Sequence, residues 1–180
     1  MALRPVVKFP DPVLRRPTVD VTIFDDELKR LVTDMTETMY AANGAGLAAI
    51  QIGDGRRIFI VEGAVAGGNE NDPPIVFINP EIEWLSDEKE ISDEGCLSFP
   101  GIYVPVKRSL RARVRARDVE GVEFVAEGEG LYARAMQHEN DHLRSKLLID
   151  YVGPIKRQMI KRKLERDAAE EAEGAAADAE

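Results

Sequence analysis

Apolar spacing divides the chain into readable pieces. Leu28, Leu31, Val32, Met35 and Met39 recur at helical intervals, Asp25 or Asp26 can cap the start, and Gly44 lies just past the end, so a helix is predicted over 25–42. Residues 57–62 and 75–79 read as strands, joined by the polar, glycine-rich loop 67–74, and Ile82 and Trp84 mark another short strand. Residues 110–117 alternate strictly: Leu110, Ala112, Val114 and Ala116 face one way, Arg111, Arg113, Arg115 and Arg117 the other. That is a half-buried strand whose arginine face is solvated. The turn Asp118-Val119-Glu120-Gly121 then leads into 122–126, which predicts a hairpin. A helix follows over 131–143, and Gly153-Pro154 opens a last one, with proline where a missing N–H costs nothing.

Two stretches lack such periodicity. The first, 5–22, holds Pro5, Pro10, Pro12 and Pro17 and should be extended, because proline fixes φ and has no backbone donor. The second, 44–51, is a glycine-led apolar run. The succession of helix, several short strands and two helices predicts an α+β fold. Antiparallel or mixed sheets would pack around the helix at 131–143, with helices near both ends of the chain. No internal repeat or linker is visible, so 1–166 is expected to be a single domain, followed by a disordered acidic tail over 167–180.

Charge adds little once the tail is set aside. The net charge is −9, but the tail contributes six acids and no base, and removing those six leaves −3. The body's balance therefore selects no partner. The longest apolar runs fall well short of the ~18 residues a membrane span needs. The N-terminus has no signal-peptide pattern, and the single cysteine, Cys96, cannot form an internal disulfide. A lone thiol fits a reducing compartment, and a cytoplasmic protein is expected.

The chemistry concentrates in His138-Glu139-Asn140-Asp141-His142. On a helix, residues four apart share a face, so two imidazoles can bind one divalent ion while Glu139 reaches a water on it. Such a short pattern also arises by chance on exposed helices. Against chance, these are the chain's only histidines, and Leu131, Ala133, Ala135 and Met136 make the helix apolar. A catalytic tetrahedral site needs a third protein ligand. Downstream, Leu148 stands where a metzincin would place its third histidine, and the nearest glutamate, Glu165, belongs to another predicted helix. Upstream is Cys96, in Glu94-Gly95-Cys96-Leu97-Ser98. A lone cysteine is more often an inert buried residue than a ligand, and the residues alone leave both readings open.

Three ordered motifs change this: Gly44-Ala45-Gly46-Leu47-Ala48-Ala49-Ile50-Gln51, then Glu94-Gly95-Cys96-Leu97-Ser98, then Gln137-His138-Glu139-Asn140-Asp141-His142. Together, and with Pro10-Asp11-Pro12-Val13-Leu14-Arg15 near the start, they resemble the peptide deformylases over about residues 4–152. The resemblance implies a metal-dependent hydrolase that removes the formyl group from the initiator methionine of newly made polypeptides. Water or hydroxide on the metal would attack the formyl carbon. By motif position, Cys96, His138 and His142 would bind the metal and Glu139 would shuttle the proton. Gln51 and the Leu97 N–H would stabilise the oxyanion, and Gly46 would bond the peptide backbone. In other hydrolases, losing one oxyanion donor costs roughly 3–4 kcal/mol of barrier. The cofactor implied is one divalent ion, Fe(II) in the cell, with Ni(II), Co(II) or Zn(II) possible in purified protein.

Two departures stand out. Ile50 replaces the proline usual before the glutamine, which could leave Gln51 less firmly held, and Leu143-Arg144-Ser145 replaces L-[DN]-G, putting serine where a residue suited to positive φ is usual. Candidate walls for the methionine side chain are the stretch Gly101-Ile102-Tyr103-Val104 with Leu131 or Ala135. The last helix carries Lys156, Arg157, Lys161, Arg162, Lys163 and Arg166 beside an apolar stripe of Ile155, Met159, Ile160 and Leu164, so ribosome contact is a further expectation. Competing readings are a related hydrolase with another acyl or peptide substrate, an inactive metal-binding regulatory module, and a generic zinc endopeptidase. Intact Glu139 and Gln51 weigh against the second, and the missing downstream ligand against the third.

Overall fold

The computed structural model describes residues 2–179. The first helix, α1, spans Asp26–Ala41, and the Asp25 carboxylate accepts from the Leu28 N–H at 3.0 Å, as the sequence predicts. Such a cap is worth about 1 kcal/mol. The glycine-led run becomes a short strand, β1 (Gly46–Ala48), followed by a single 3-10 turn over Ala49–Ile52. Strands β2 (Ile58–Val61) and β3 (Ile75–Leu85) follow. The two pieces predicted around Asn79 are thus one long strand, with register shifts between Ile78 and Glu81 and between Ile82 and Trp84. Asn79 sits at φ 52° with its amide bonded both ways to the Val21 backbone, which ties the extended N-terminal segment to the sheet.

Strands β4 (Lys89–Cys96) and β5 (Phe99–Ser109) form a separate long hairpin, and β6 (Arg111–Arg117) pairs with β7 (Glu123–Glu129). The larger sheet has the order β1-β2-β3-β6-β7, and every pairing within both sheets is antiparallel. Helix α2 (Leu131–Leu143) lies between the larger sheet and the hairpin, and α3 starts at Pro154. This is the predicted α+β architecture around the His-bearing helix.

Strand β2 shows why that helix is central. All four of its residues are buried: Ile58 and Ile60 pack with Leu31, Met35 and Met39 of α1, while Phe59 and Val61 pack with Ala133, Met136 and Leu143 of α2. A strand covered on both faces reads as a continuous apolar run. A third apolar cluster joins Phe99, Val104 and Val106 of the hairpin to Leu148 and Ile149 and to Ile160 and Leu164 of α3. The chain after α2 therefore closes the back of the hairpin.

The tail differs from expectation. Helix α3 runs without a break to Asp178, across the boundary at 166–167, where Lys163 Nζ pairs with Asp167 at 2.6 Å one turn on. Composition suggested disorder, but alanine and glutamate are also strong helix formers, and a helix already anchored by Ile160 and Leu164 needs no new nucleus to continue.

Candidate metal centre and active site

Three segments far apart in sequence meet above β1 and β2. Helix α2 supplies His138, Glu139 and His142. The end of β4 supplies Cys96, and the 3-10 turn supplies Gln51. One ligand atom each from Cys96, His138 and His142 lies within 4.8 Å of the others. Cys96 Sγ is 3.4 Å from His142 Nε2, and the two imidazoles meet edge to face with centroids 5.2 Å apart. Converging thiol and imidazole groups with no carboxylate bridging them suit a divalent transition metal. Among the described residues, the buried side-chain atoms without a partner are Glu139 Oε2 and His142 Nδ1, both in this group. The residues thus fit a divalent ion.

Behind this cluster lies a buried ionic network. His138 Nδ1 donates to Glu94 Oε1 at 2.8 Å, which fixes the tautomer and frees Nε2 for the cluster. Arg108 grips both Glu94 oxygens, through Nε at 2.8 Å and Nη2 at 2.9 Å, and Arg134 Nη1 adds a bond to Oε2 at 2.7 Å. Burial alone would raise the Glu94 carboxyl, but the Arg108 guanidinium and His138 outweigh it and hold it at about 2. Glu139 has no such partner. Burial first, with repulsion from Glu94 and Asp141 added and His138 opposing, pushes its carboxyl up to about 7, the range of an acid/base that works near neutrality. Burial and the neighbouring His138 hold His142 well below the usual imidazole range. Burial also works against a charged His138, but bonding to Cys96 and Glu94 raises it. Ligation needs both rings neutral and the thiol ionised, so metal uptake is coupled to proton release.

Gln51 is firmly seated despite Ile50. Its Oε1 accepts from the Ala48 N–H at 2.9 Å, and its Nε2 points to Ser98 Oγ at 3.0 Å and to Cys96 Sγ at 3.5 Å. Ile50 is 1% exposed and packed with Phe59 and Val61, so apolar burial anchors the turn where proline would have stiffened it. At Gly46, a Cβ would come 2.8 Å from Glu139 Oε1, so only glycine lets β1 lie against the carboxylate. The other departure is also absorbed. Ser145 takes φ 60°, and the bonds from Ser145 N to His142 O and from Lys146 N to Asp141 O close α2 in a Schellman motif.

A cleft of about 430 Å³ opens onto these groups, lined by Gly46, Gln51, Cys96, Leu97, His138 and Glu139. Its outer wall includes Gly101, Ile102, Tyr103, Leu131 and Ala135, all candidates for the methionine side chain, whereas Val104 is fully buried in the hairpin core. Sequence reasoning assigned no role to Arg108, Arg134, Asp141 or Tyr151. One signal was available: Val104, Val106 and Arg108 alternate along β5, placing a charge at a core-facing position.

The sequence profile of the family described as Polypeptide deformylase matches residues 3–158. A peptide deformylase of Saccharophagus degradans is 48% identical over 166 residues, covering 92% of this chain and 94% of that protein. The crystal structure of a peptide deformylase from Legionella pneumophila superposes with a TM-score of 0.88 at 40% identity, covering 95% of this chain and 98% of that one. The peptide deformylase of Ehrlichia chaffeensis in complex with actinonin gives 0.86 at 35%, covering 93% and 98%. With the fold, the three motifs and the cysteine–histidine cluster in place, the chain belongs to the polypeptide deformylase family, and it is a metal-dependent hydrolase that removes the formyl group from new polypeptides.

Proposed function

We propose that Cys96, His138 and His142 hold one divalent cation, ferrous iron in the cell, and that Glu139 is the general acid/base of deformylation. The observation that carries this is the convergence of the three ligand atoms beside a buried carboxylate whose second oxygen has no partner. The cation, when bound, supplies Lewis acidity where a water molecule and the formyl oxygen meet. Glu139, buried beside those donors with Oε2 unpartnered, takes the water's proton and returns it to the leaving amine. Gln51 Nε2, aimed by Ser98 and Ala48, donates to the formyl oxygen as negative charge develops there, with the Leu97 N–H as the second donor. The Gly46 backbone bonds the peptide along the edge of β1. Nickel, cobalt or zinc can occupy the same donors in purified protein.

The cytoplasm is the compartment this reading requires, because formylated chains arise there and Cys96 must stay reduced. The basic half of α3, with Lys156, Arg157, Lys161 and Arg162 exposed, supports contact with the ribosome. Reversing those four charges should abolish co-sedimentation with ribosomes without changing hydrolysis of a short formyl-peptide, and unchanged sedimentation would refute the contact.

The test of the active site is hydrolysis of formyl-Met-Ala by anaerobically prepared protein with its metal quantified. Glu139→Gln should retain the metal and lose at least ~10²-fold in formate release. Cys96→Ala should lose the metal itself. A Glu139→Gln variant with wild-type turnover would remove the assigned role.

A further inference from the structure

Beyond Glu94, the buried network continues to a residue outside every motif. Arg108 Nη1, the donor not used on Glu94, reaches Asp141 Oδ2 at 2.7 Å. The Tyr151 hydroxyl donates to that same oxygen at 2.5 Å and accepts from Arg108 Nη1 at 2.9 Å. Tyr151 ends the 3-10 turn Leu148–Tyr151, just before α3, and its ring lies between two cations: the Arg108 guanidinium at 4.9 Å and Lys146 Nζ at 4.4 Å from the centroid.

The geometry leaves each group little choice. Asp141 shares α2 with the ligands and projects toward the hairpin. With Arg108 Nη1 held by Asp141 Oδ2 and the Tyr151 hydroxyl, the guanidinium keeps its Nε and Nη2 edge turned toward Glu94 in the two-pronged grip. That grip in turn sets which lone pair of Glu94 Oε1 faces His138 Nδ1. Glu94 and Asp141 against Arg108 and Arg134 sum to zero charge, so the array can orient the ligand without adding net charge behind the cation. We propose that Tyr151 and Asp141 are positioning residues for His138, acting through Arg108 and Glu94. The proposal rests on the reading of Cys96, His138 and His142 as metal ligands. A hydroxyl three hydrogen bonds removed would then set how tightly the metal is held.

Tyr151→Phe tests this by deleting one oxygen and keeping the ring between its cations. The readout is metal affinity, measured by competition with a chelator on anaerobically loaded enzyme, alongside thermal midpoint and KM against kcat at full loading. Affinity should fall about tenfold, as for partners behind metal ligands elsewhere, with KM unchanged. Asp141→Asn should weaken affinity similarly, and the double variant should be no worse than Asp141→Asn alone, since both act along one path. Lys146→Ala, which removes the other cation on the ring, should leave affinity intact. A Tyr151→Phe variant with a lower midpoint but wild-type affinity would overturn the proposal, since that is what packing alone predicts. Additive losses would overturn it too. If the Cys96→Ala variant keeps its metal, the ligand reading fails instead, and the two failures are told apart in the same assay.

Discussion

Two of this molecule's sets of arginine–carboxylate pairs do opposite work. Behind the Cys96–His138–His142 cluster, Arg108 and Glu94 are 6% and 5% exposed and bonded through two parallel contacts. On the outer face of β3, β6 and β7, Arg115 pairs with Glu81 at 2.8 Å, and Arg113 with Glu127 at 2.5 Å, with side chains 41% to 64% exposed. Contact lengths are nearly the same. The surface pairs exchange one polar environment for another, keep water within reach and are screened by salt. The buried pair has no such alternative. Its desolvation is offset only while every partner is present, so it acts as a clamp whose failure is costly rather than as a source of net stability. Placement, more than pairing distance, decides which arginines matter.

The largest break in that comparison should come from Arg108→Met, which strips buried Glu94 of its two-pronged partner and leaves it only Arg134 and His138. A loss of about 3–5 kcal/mol is expected, a fall in thermal midpoint of roughly 10 °C or more for a chain this size, together with weakened metal retention. A midpoint within a degree or two of wild type in calorimetry would erase the distinction between the two sets. Next is an acid limb in the metal-free protein. Glu94 is held at about 2 when folded against about 4.5 when unfolded, so its stabilising effect is complete above pH 4.5 and is lost as pH falls toward 2. That effect is on the order of 3 kcal/mol, and Glu94→Gln should flatten this limb in urea melts recorded across the range. The smallest effect should be Arg115→Ala, which is expected to leave the midpoint where it was. Raising salt to 1 M should erase what difference remains while leaving the Arg108→Met difference intact.

Local pattern reached the surface set and missed the buried one, for a physical reason. The alternation over 110–117 reports burial directly, because each residue's environment follows from its neighbours two positions away, and β6 buries Ala112, Val114 and Ala116 as expected. The helices were legible for the same reason, α2 spanning Leu131–Leu143 as predicted. The hairpin β4–β5 carries no such mark on its first strand, where Lys89 through Asp93 are all exposed and only Glu94 turns inward. Arg108 meets Glu94 across 14 positions, Asp141 across 33 and Tyr151 across 43, distances at which periodicity says nothing. The motifs did bring Cys96, His138, His142, Glu139 and Gln51 to notice, but a motif names residues without saying what holds them. The seat of Gln51 likewise depended on Ser98 and on burial of Ile50, not on the presence of proline.

The wall that Gly46 gives the cleft has a consequence for inhibitors. A side chain at 46 would collide with Glu139 Oε1, so this edge of β1 presents backbone alone to whatever occupies the cleft. Peptide N–H and C=O groups are the same whatever residue bears them. A compound that draws its grip from that edge meets a surface that substitution at position 46 cannot reshape without displacing the Glu139 carboxylate, the proposed acid/base. If Glu139 acts as proposed, escape by mutation there would cost activity too, and resistance would have to arise at the side-chain wall instead, at residues such as Tyr103 and Leu131.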